Sequence, residues 1–223
     1  MSDRLLERLV CEPEGVANAS VIWMHGLGAD GHDFLSIVDQ LQLPASLKVR
    51  YVFPHAPVRP VTIQGGLPCR AWFDIFDLNR LDREDTVGLA QSERAIHTLI
   101  EQQIASGISP HRILLAGFSQ GGAIAQYTAL RSSYRLGGVV GLSAYLPLAN
   151  QVKPTPFNQS LPVFLAHGSR DPILPLQLGV RSVSILKKLG CVVDWYEYSM
   201  DHTVCEKEIA DLSQWMAITA LKP

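Results

Sequence analysis

The sequence predicts an α/β fold, with one mostly parallel sheet flanked by helices, built as a single domain over residues 1–223. Short apolar segments alternate with longer amphipathic segments along the chain, and this alternation is typical of βαβ units. A length of 223 residues suits one α/β domain. Neither an internal repeat nor a linker rich in serine or glycine divides the chain.

The strands are predicted from short runs rich in valine, isoleucine and leucine, as expected where helices cover both faces of a parallel sheet. The six clearest runs are Val21–Met24, Val49–Phe53, Ile113–Ala116, Gly138–Leu142, Val163–Ala166 and Val192–Tyr198. A weaker strand is predicted over Leu6–Val10. The last of the six runs alternates apolar and polar residues, which places it near an edge of the sheet.

The helices are predicted from apolar residues that recur three and four positions apart. They cover residues 34–41, 95–104, 123–130, 180–189 and 209–218. Asp33 is the expected N-cap of the first helix. Gly107 and Gly190 follow the second and fourth helices, where a glycine commonly ends a helix.

Composition and charge exclude several functional classes. Hydrophobic residues make up 47% of the chain and charged residues 18%, which excludes intrinsic disorder. The formal net charge of −2 provides no basic field for nucleic acid. No apolar run approaches the ~18 residues that a membrane-spanning helix requires, so we expect no stable membrane insertion.

The four cysteines are spaced too far apart for a CxxC motif or a zinc ribbon. We therefore expect free thiols in a reducing compartment. The charged N-terminal segment lacks the apolar core of a signal peptide, which favours a cytoplasmic location. The sequence predicts neither a metal nor an organic cofactor.

The clearest chemical motif is Gly117-Phe118-Ser119-Gln120-Gly121, which matches G-x-S-x-G. An apolar strand leads into it and a helix of small residues leaves it, which is the context this motif requires. So sharp a turn forces the serine into a strained backbone conformation and leaves no room for side chains at either glycine. The hydroxyl of Ser119 is then exposed at a helix N-terminus, as a nucleophile.

A serine nucleophile needs a base that is itself oriented by an acid, and with this motif both follow the serine in the chain. Only His167 and His202 lie downstream of Ser119. We assign the base to His202 and expect His167 to be a structural histidine that bonds nearby backbone. The acid candidates before His202 are Asp171, Asp194, Glu197 and Asp201.

Asp171 is the preferred acid because it lies in a loop just after a predicted strand, where parallel sheets place their chemistry. Asp194 and Glu197 fall inside a strand, and Asp201 is adjacent to the histidine. The oxyanion of an acyl-transfer reaction also needs N–H donors. We expect one from the backbone of Gln120 and one from Leu27, in the loop after an early strand.

That early loop also matches G-x-G-x-x-G over residues 26–31, the fingerprint of a dinucleotide-binding turn. A dinucleotide-binding site of this kind requires an acidic residue about 20 positions after the motif, at the end of the second strand. The second strand here reads Val49-Arg50-Tyr51-Val52-Phe53 and offers none. A dinucleotide-dependent oxidoreductase is therefore a minor alternative. A catalytically silent binding module on a hydrolase scaffold is another, which the intact serine, aspartate and histidine oppose.

Several sequence blocks in the same order resemble the carboxylesterase/acyl-protein thioesterase (lysophospholipase-like) branch of the α/β-hydrolases. They are HGLGADG, FPHAPVRPVT, AWFDI, GFSQGG, LSAYLP, HGSRDPILP and DHTVCEKEI. The resemblance implies the same catalytic Ser119, Asp171 and His202 and the same donors, Leu27 and Gln120. It further implies that Trp72, Ile75, Tyr145 and Leu174 border an acyl pocket, and that homodimers occur.

One position departs from the family pattern, in which many bacterial members have glycine before the catalytic histidine. Here that position is Asp201. Its carboxylate could couple electrostatically to the base or point into solvent, and we favour solvent.

The resemblance also bears on the substrate. Many α/β-hydrolases carry a helical lid, but the interval from Leu142 to Val163 has no room for one. The long irregular stretch from Pro54 to Asp85 is then expected to supply the apolar acyl surface. We expect hydrolysis of short- to medium-chain acyl esters, small-molecule substrates, with thioester or lysophospholipid hydrolysis as the alternative.

Overall fold

The computed structural model describes residues 5–78 and 83–221, and a seven-stranded sheet forms its centre. The strands are β1 Arg8–Cys11, β2 Ala19–Met24, β3 Val49–Pro54, β4 Val58–Val61, β5 Leu67–Arg70, β6 Ile113–Phe118, β7 Gly138–Leu142, β8 Pro162–Gly168 and β9 Val192–Tyr198. Their order across the large sheet is β1-β3-β2-β6-β7-β8-β9, and β4 pairs with β5 in a separate hairpin. Only β1 runs antiparallel to its neighbour in the large sheet.

The helices of the described residues form a layer on each face of the sheet. They are α1 Ile37–Gln40, α2 Thr86–Ala105, α3 Gln120–Arg131, α4 Leu176–Lys188 and α5 Glu206–Trp215. Because side chains alternate along a strand, β2 sends Ile22 and Met24 towards α2 and α3, and Trp23 towards α1 and α5. Each face of the sheet therefore has its own buried apolar core.

The predicted mostly parallel α/β fold is confirmed. The six clearest predicted strands lie within β2, β3, β6, β7, β8 and β9, and β9 is an edge strand as its alternation indicated. Gly107 and Gly190 have φ values of 96° and 94°, the left-handed conformation expected of a residue that ends a helix. The interval between β7 and β8 contains turns and one short 3₁₀ helix, Pro156–Asn158, with no inserted helical lid.

The helix predicted after Asp33 is wrong in length. Residues 31–36 form turns, and α1 spans four residues, with Ser36 before it. The Asp30 carboxylate accepts the backbone N–H of His32 at 2.8 Å, and the Asp33 N–H donates to the Asp30 carbonyl at 3.1 Å. The Leu35 and Ile37 N–H groups likewise donate to carbonyls three residues back, each at 3.1 Å, so the segment forms tight turns instead of a regular α-helix.

The long stretch from Pro54 to Asp85 is more ordered than the sequence indicated, although residues 79–82 of it lie outside the described residues. It contains the β4–β5 hairpin, in which Pro60 is paired with Pro68. Two prolines in one small hairpin hid the strands, because proline cannot donate to a ladder. The hairpin is an isolated two-stranded unit, so the prolines interrupt no larger sheet.

The parallel strands point their carboxyl ends towards one edge of the sheet. The loops after β2, β6, β8 and β9 all emerge there, and they carry Leu27, Ser119, Asp171 and His202. A parallel arrangement thus brings together residues that are up to 175 positions apart in sequence. Such edges are where open α/β sheets bind their ligands.

One contact at this edge depends on a glycine. A Cβ on Gly121, at the start of α3, would overlap the backbone carbonyl oxygen of Met24 at the end of β2. At Gly26, by comparison, a Cβ would lie 3.4 Å from the nearest atom, a ring carbon of Phe118. The close approach of α3 to β2 therefore requires glycine at position 121.

We expect Gly121→Ala to lower the free energy of unfolding by at least about 1–3 kcal/mol, because backbone must move to admit the methyl group. Gly26→Ala is the matched control and should cost much less, since its methyl group meets only ordinary contact distances. Urea unfolding of both variants measures the difference. Equal stability of the two variants would contradict the close-packing argument.

A second feature of the fold is a carboxyl group buried in the first turn of α5. Glu208 is fully buried, and burial raises its pKa to about 8, against a smaller lowering effect from the backbone of Cys205. A glutamate side chain in an unfolded chain has a pKa of about 4.3. Because the folded state holds the proton more tightly, Glu208 favours folding below about pH 4.3 and this contribution is lost as the pH rises towards 8.

We expect Glu208→Gln to remove this pH dependence, because the amide keeps the shape without ionising. Relative to the variant, the wild-type protein should lose stability between pH 5 and 8, on the order of a few kcal/mol. Thermal unfolding across this range measures it. Glu206→Gln, on the exposed side of the same turn, is the control and should show the same pH dependence of stability as the wild-type protein.

Candidate active site

Ser119 occupies a tight turn between β6 and α3. Its φ of 53° and ψ of −120° lie where side-chain-bearing residues are rarely found, at a cost of about 1–3 kcal/mol. The turn is pinned by a hydrogen bond from the Ser119 N–H to the Leu142 carbonyl at 2.8 Å. A Cβ at Gly117 would overlap the backbone of Gly121, so both flanking glycines are required at this turn.

Asp171 and His202 follow the adjacent strands β8 and β9. The Nδ1 atom of His202 lies 2.6 Å from Oδ2 of Asp171. The other carboxylate oxygen accepts the backbone N–H groups of Ile173 at 2.9 Å and Leu174 at 2.8 Å. The Asp171 side chain is fully buried, so these donors replace the water that an ionised carboxylate would otherwise need.

The competing acids bond elsewhere. Asp194 accepts the indole N–H of Trp215 and Glu197 that of Trp195, each at 2.8 Å. Asp201 is exposed and lies 3.6 Å from the guanidinium of Arg170. The side chain of Asp201 therefore points away from the site, as the sequence interpretation favoured.

His167 is buried beneath Asp171. Its Nε2 lies 2.8 Å from the carbonyl oxygen of Leu174, and 3.5 Å from Oδ2 of Asp171. Burial lowers the pKa of His167, so the neutral ring donates to the Leu174 carbonyl. This is the structural, backbone-bonding role that the sequence predicted for it.

The loop after β2 is held by His25, a residue for which the sequence predicted no role. Its buried ring has Nδ1 2.7 Å from the Gly26 carbonyl, and its Nε2 accepts the N–H of Ala56 at 3.0 Å. Burial lowers the pKa of His25, so one nitrogen donates and the other accepts. Because the Gly26 carbonyl and the Leu27 N–H belong to one peptide unit, the ring fixes the direction of the Leu27 donor.

Gln120 links the turn of the serine to the segment after β5. Its side-chain oxygen accepts the Trp72 N–H at 2.9 Å, and its side-chain nitrogen donates to the Phe73 carbonyl at 2.7 Å. The Trp72 indole N–H donates to the carbonyl of His25 at 2.9 Å. The serine turn and the Leu27 loop are therefore fastened to the same residue.

An open, largely apolar cavity of about 380 Å³ lies between these loops. Ser119 and His202 line it, together with Leu27 and Gln120. Of the four residues expected to border an acyl pocket, Ile75, Tyr145 and Leu174 line the cavity. Trp72 does not, and that expectation is wrong, because all of its polar groups are bonded inwards and the side chain is fully buried.

The cavity has further lining residues that the sequence interpretation missed, namely Asp33, Ile63, Gln64, Leu78, Phe118 and Ile173. Ile63 and Gln64 form a 3₁₀ turn in the unforeseen β4–β5 hairpin. Phe118 stands next to the serine, and its ring centre lies 4.7 Å from that of His202. The motif itself could have identified Phe118, because the residue before the serine must lie beside the nucleophile.

A potential metal-binding group lies outside this cavity. Ligand atoms of Asp30, His32 and His55 lie within 4.8 Å of one another. They are already bonded, with His32 Nδ1 3.0 Å from Asp30 Oδ1, and His55 Nδ1 accepting the Gly31 N–H at 3.0 Å. Each of the three side chains therefore already has a hydrogen-bond partner within the protein. In the part of the chain that the structure describes, no helix has the length and apolarity needed to traverse a bilayer.

Comparisons with known proteins identify the family. A phospholipase/carboxylesterase family model matches residues 7–220. The chain is 38% identical to acyl-protein thioesterase 1 of Gibberella zeae, covering 97% of both chains. It is 35% identical to acyl-protein thioesterase 1 of Cryptococcus neoformans, covering 97% of this chain and 98% of the relative.

A solved structure extends the similarity to three dimensions. The crystal structure of Zea mays acyl-protein thioesterase 2 superposes with a TM-score of 0.83 at 31% identity, over 94% of this chain and 97% of the other. The resemblance inferred from the sequence blocks is thereby confirmed. With its α/β-hydrolase fold and a family match over nearly its whole length, the chain belongs to the phospholipase/carboxylesterase family of hydrolases.

Proposed function

We propose that this protein hydrolyses acyl thioesters and carboxylic esters through an acyl-enzyme intermediate on Ser119. The proposal rests on one observation above all. The 2.6 Å contact between Asp171 and His202 orients a histidine that lines the same cavity as a serine on a strained turn. In a site of this kind the serine is the nucleophile, the histidine the base and the aspartate the orienting acid.

In the proposed reaction, Nε2 of His202 takes the hydroxyl proton as Oγ of Ser119 attacks the acyl carbonyl. Asp171 stabilises the imidazolium that forms. The backbone N–H groups of Leu27 and Gln120 donate to the oxyanion. His202 then gives its proton to the departing alcohol or thiol, and the same residue activates the water that releases the acyl group.

The substrate is proposed from the cavity and the relatives together. The apolar walls suit a hydrocarbon chain, and the open cavity needs no lid movement. Relatives named acyl-protein thioesterases favour the thioester alternative over the short- to medium-chain esters expected first. A substrate panel that crosses acyl-chain length with ester or thioester linkage separates the two.

Other expectations stay predictions. They are a single domain over residues 1–223, a cytoplasmic location and a homodimer. The four cysteines are free thiols in the structure, which supports a reducing compartment. Gel filtration with light scattering would measure the oligomeric state.

We expect Ser119→Ala to abolish p-nitrophenol release from C2–C8 esters and thiol release from acyl thioesters, by at least about 10³-fold in kcat. A fluorophosphonate probe should label the wild-type protein and not the variant. Ser133→Ala, at an exposed position away from the cavity, is the control and should retain activity and labelling. Full activity in Ser119→Ala would disprove the assignment, and an unlabelled wild-type protein would favour the silent binding module.

We expect Gln120→Met to weaken catalysis although its backbone donor remains. The substitution leaves the Trp72 N–H and the Phe73 carbonyl buried without partners, at about 1–3 kcal/mol for each group. The melting temperature should fall, and kcat should fall by about tenfold. Gln91→Met, on the exposed face of α2, is the control. A kcat equal to that of the wild type would mean that the hydrogen bonds of the Gln120 side chain do not position the oxyanion donors.

A further inference from the structure

Asp33 introduces a negative charge into an otherwise uncharged cavity wall. It is the one carboxylate among the described residues that line the cavity, and it forms no ion pair with any of the residues that the structure describes. Partial burial raises the pKa of Asp33, and the nearby Asp30 raises it further. Both effects oppose its negative charge, and the attraction of a cation bound beside it would offset them.

Ring contacts connect the segment of Asp33 to His202, and exposure shows where Asp33 lies in the cavity. The ring of the next residue, Phe34, is centred 5.6 Å from that of Phe118, and Phe118 is centred 4.7 Å from His202. A continuous chain of contacts thus leads from the Asp33 segment to the histidine. Asp33 is exposed, whereas the lining residues Tyr145 and Leu174 are buried, so Asp33 lies at the open side of the cavity.

The histidine side of the site is where the leaving group departs, because the base must hand its proton to that group. This step rests on the function proposed above. The acyl chain then lies against the apolar residues, while the leaving group passes the loop that carries Asp33.

We propose that Asp33 determines leaving-group specificity, so that the enzyme prefers acyl thioesters whose thiol belongs to a positively charged peptide over those with an anionic leaving group. Lysine or arginine residues next to an acylated cysteine supply such a charge. A leaving group rich in carboxylates or phosphates is repelled instead. Asp33 therefore acts as a specificity-determining residue for the proposed reaction.

Asp30 is negative like Asp33 and keeps its charge when Asp33 is replaced, and the other neighbouring charges leave the effect of Asp33 in place. Asp201 and Arg170, beside the histidine, offset each other at 3.6 Å. The guanidinium of Arg70 donates to the Ala56 carbonyl at 2.9 Å, away from the cavity lining. Because Asp33 is exposed, its effect is that of a screened surface charge, about two- to fivefold in kcat/KM, and it decreases with salt.

The test compares two octanoyl-cysteine thioester peptides that differ only in flanking residues, lysine in one and glutamate in the other. At pH 8 and low ionic strength, the wild-type ratio of kcat/KM, lysine peptide over glutamate peptide, should be about two- to fivefold. Asp33→Asn should lower this ratio, and Asp33→Lys should lower it further. Asp39→Asn, at an exposed position on α1, is the matched control and should keep the wild-type ratio.

The ionic strength provides a second readout that a merely structural role would not give. The wild-type preference should shrink as salt rises to ~0.3 M, and Asp33→Asn should show a weaker salt dependence. A wild-type ratio near one, or an equal ratio in Asp33→Asn, would overturn the specificity proposal. Hydrolysis of a neutral p-nitrophenyl ester is measured in parallel: if the wild-type protein does not cleave it, the proposed function itself fails.

Discussion

The hydrogen bonds of one buried tryptophan hold the catalytic edge of this fold together. The backbone N–H of Trp72 donates to Gln120, its indole N–H donates to the His25 carbonyl, and its own carbonyl accepts the hydroxyl of Ser92. These three partners belong to α3, to the loop after β2, and to α2. Each contact is fully buried, where an unpaired group would cost about 1–3 kcal/mol. Both proposed oxyanion donors therefore take their positions from a residue that never touches the cavity.

The parallel sheet positions the remaining groups of the site. Neighbouring parallel strands end at the same edge, so β8 and β9 deliver Asp171 and His202 side by side from 31 positions apart. Gly121 allows α3 to approach the end of β2, which brings the serine turn beside the Leu27 loop. A side chain at that position would separate the two proposed donors, because the overlap is with the backbone of β2 itself. The site is thus a property of the sheet as a whole, and each loop contributes one group.

How far the sequence predicts this molecule depends on how local each signal is. Buried parallel strands and the turn around Ser119 have strong local patterns, and the choice of Asp171 over Asp194 or Glu197 followed from strand-end position alone. The β4–β5 hairpin was missed because its prolines resemble a loop. The role expected for Trp72 was wrong because an aromatic residue in a loop looks the same in sequence whether it lines a cavity or fastens two segments. Only its partners across the fold, Gln120 and His25, distinguish the two.

Backbone strain in the described residues is concentrated at the same edge. The three side-chain-bearing residues with positive φ, Ser119, Ser143 and Leu148, all follow β6 or β7 there. Ser143 is held by a hydrogen bond from its N–H to the Ala166 carbonyl at 2.8 Å, and Leu148 by one to the Glu84 carboxylate at 2.7 Å.

These two strained residues bracket Tyr145, which lines the cavity. Glu84 is half-buried, and this burial raises the pKa of its carboxyl group to about 6, so holding this segment carries an electrostatic cost as well. Strain and buried charge persist only where surrounding contacts over-determine them. The strained residues lie around one cavity, and the opposite edge of the sheet has none among the described residues. This concentration indicates that contacts of the fold hold the shape of the cavity against the preferences of the backbone.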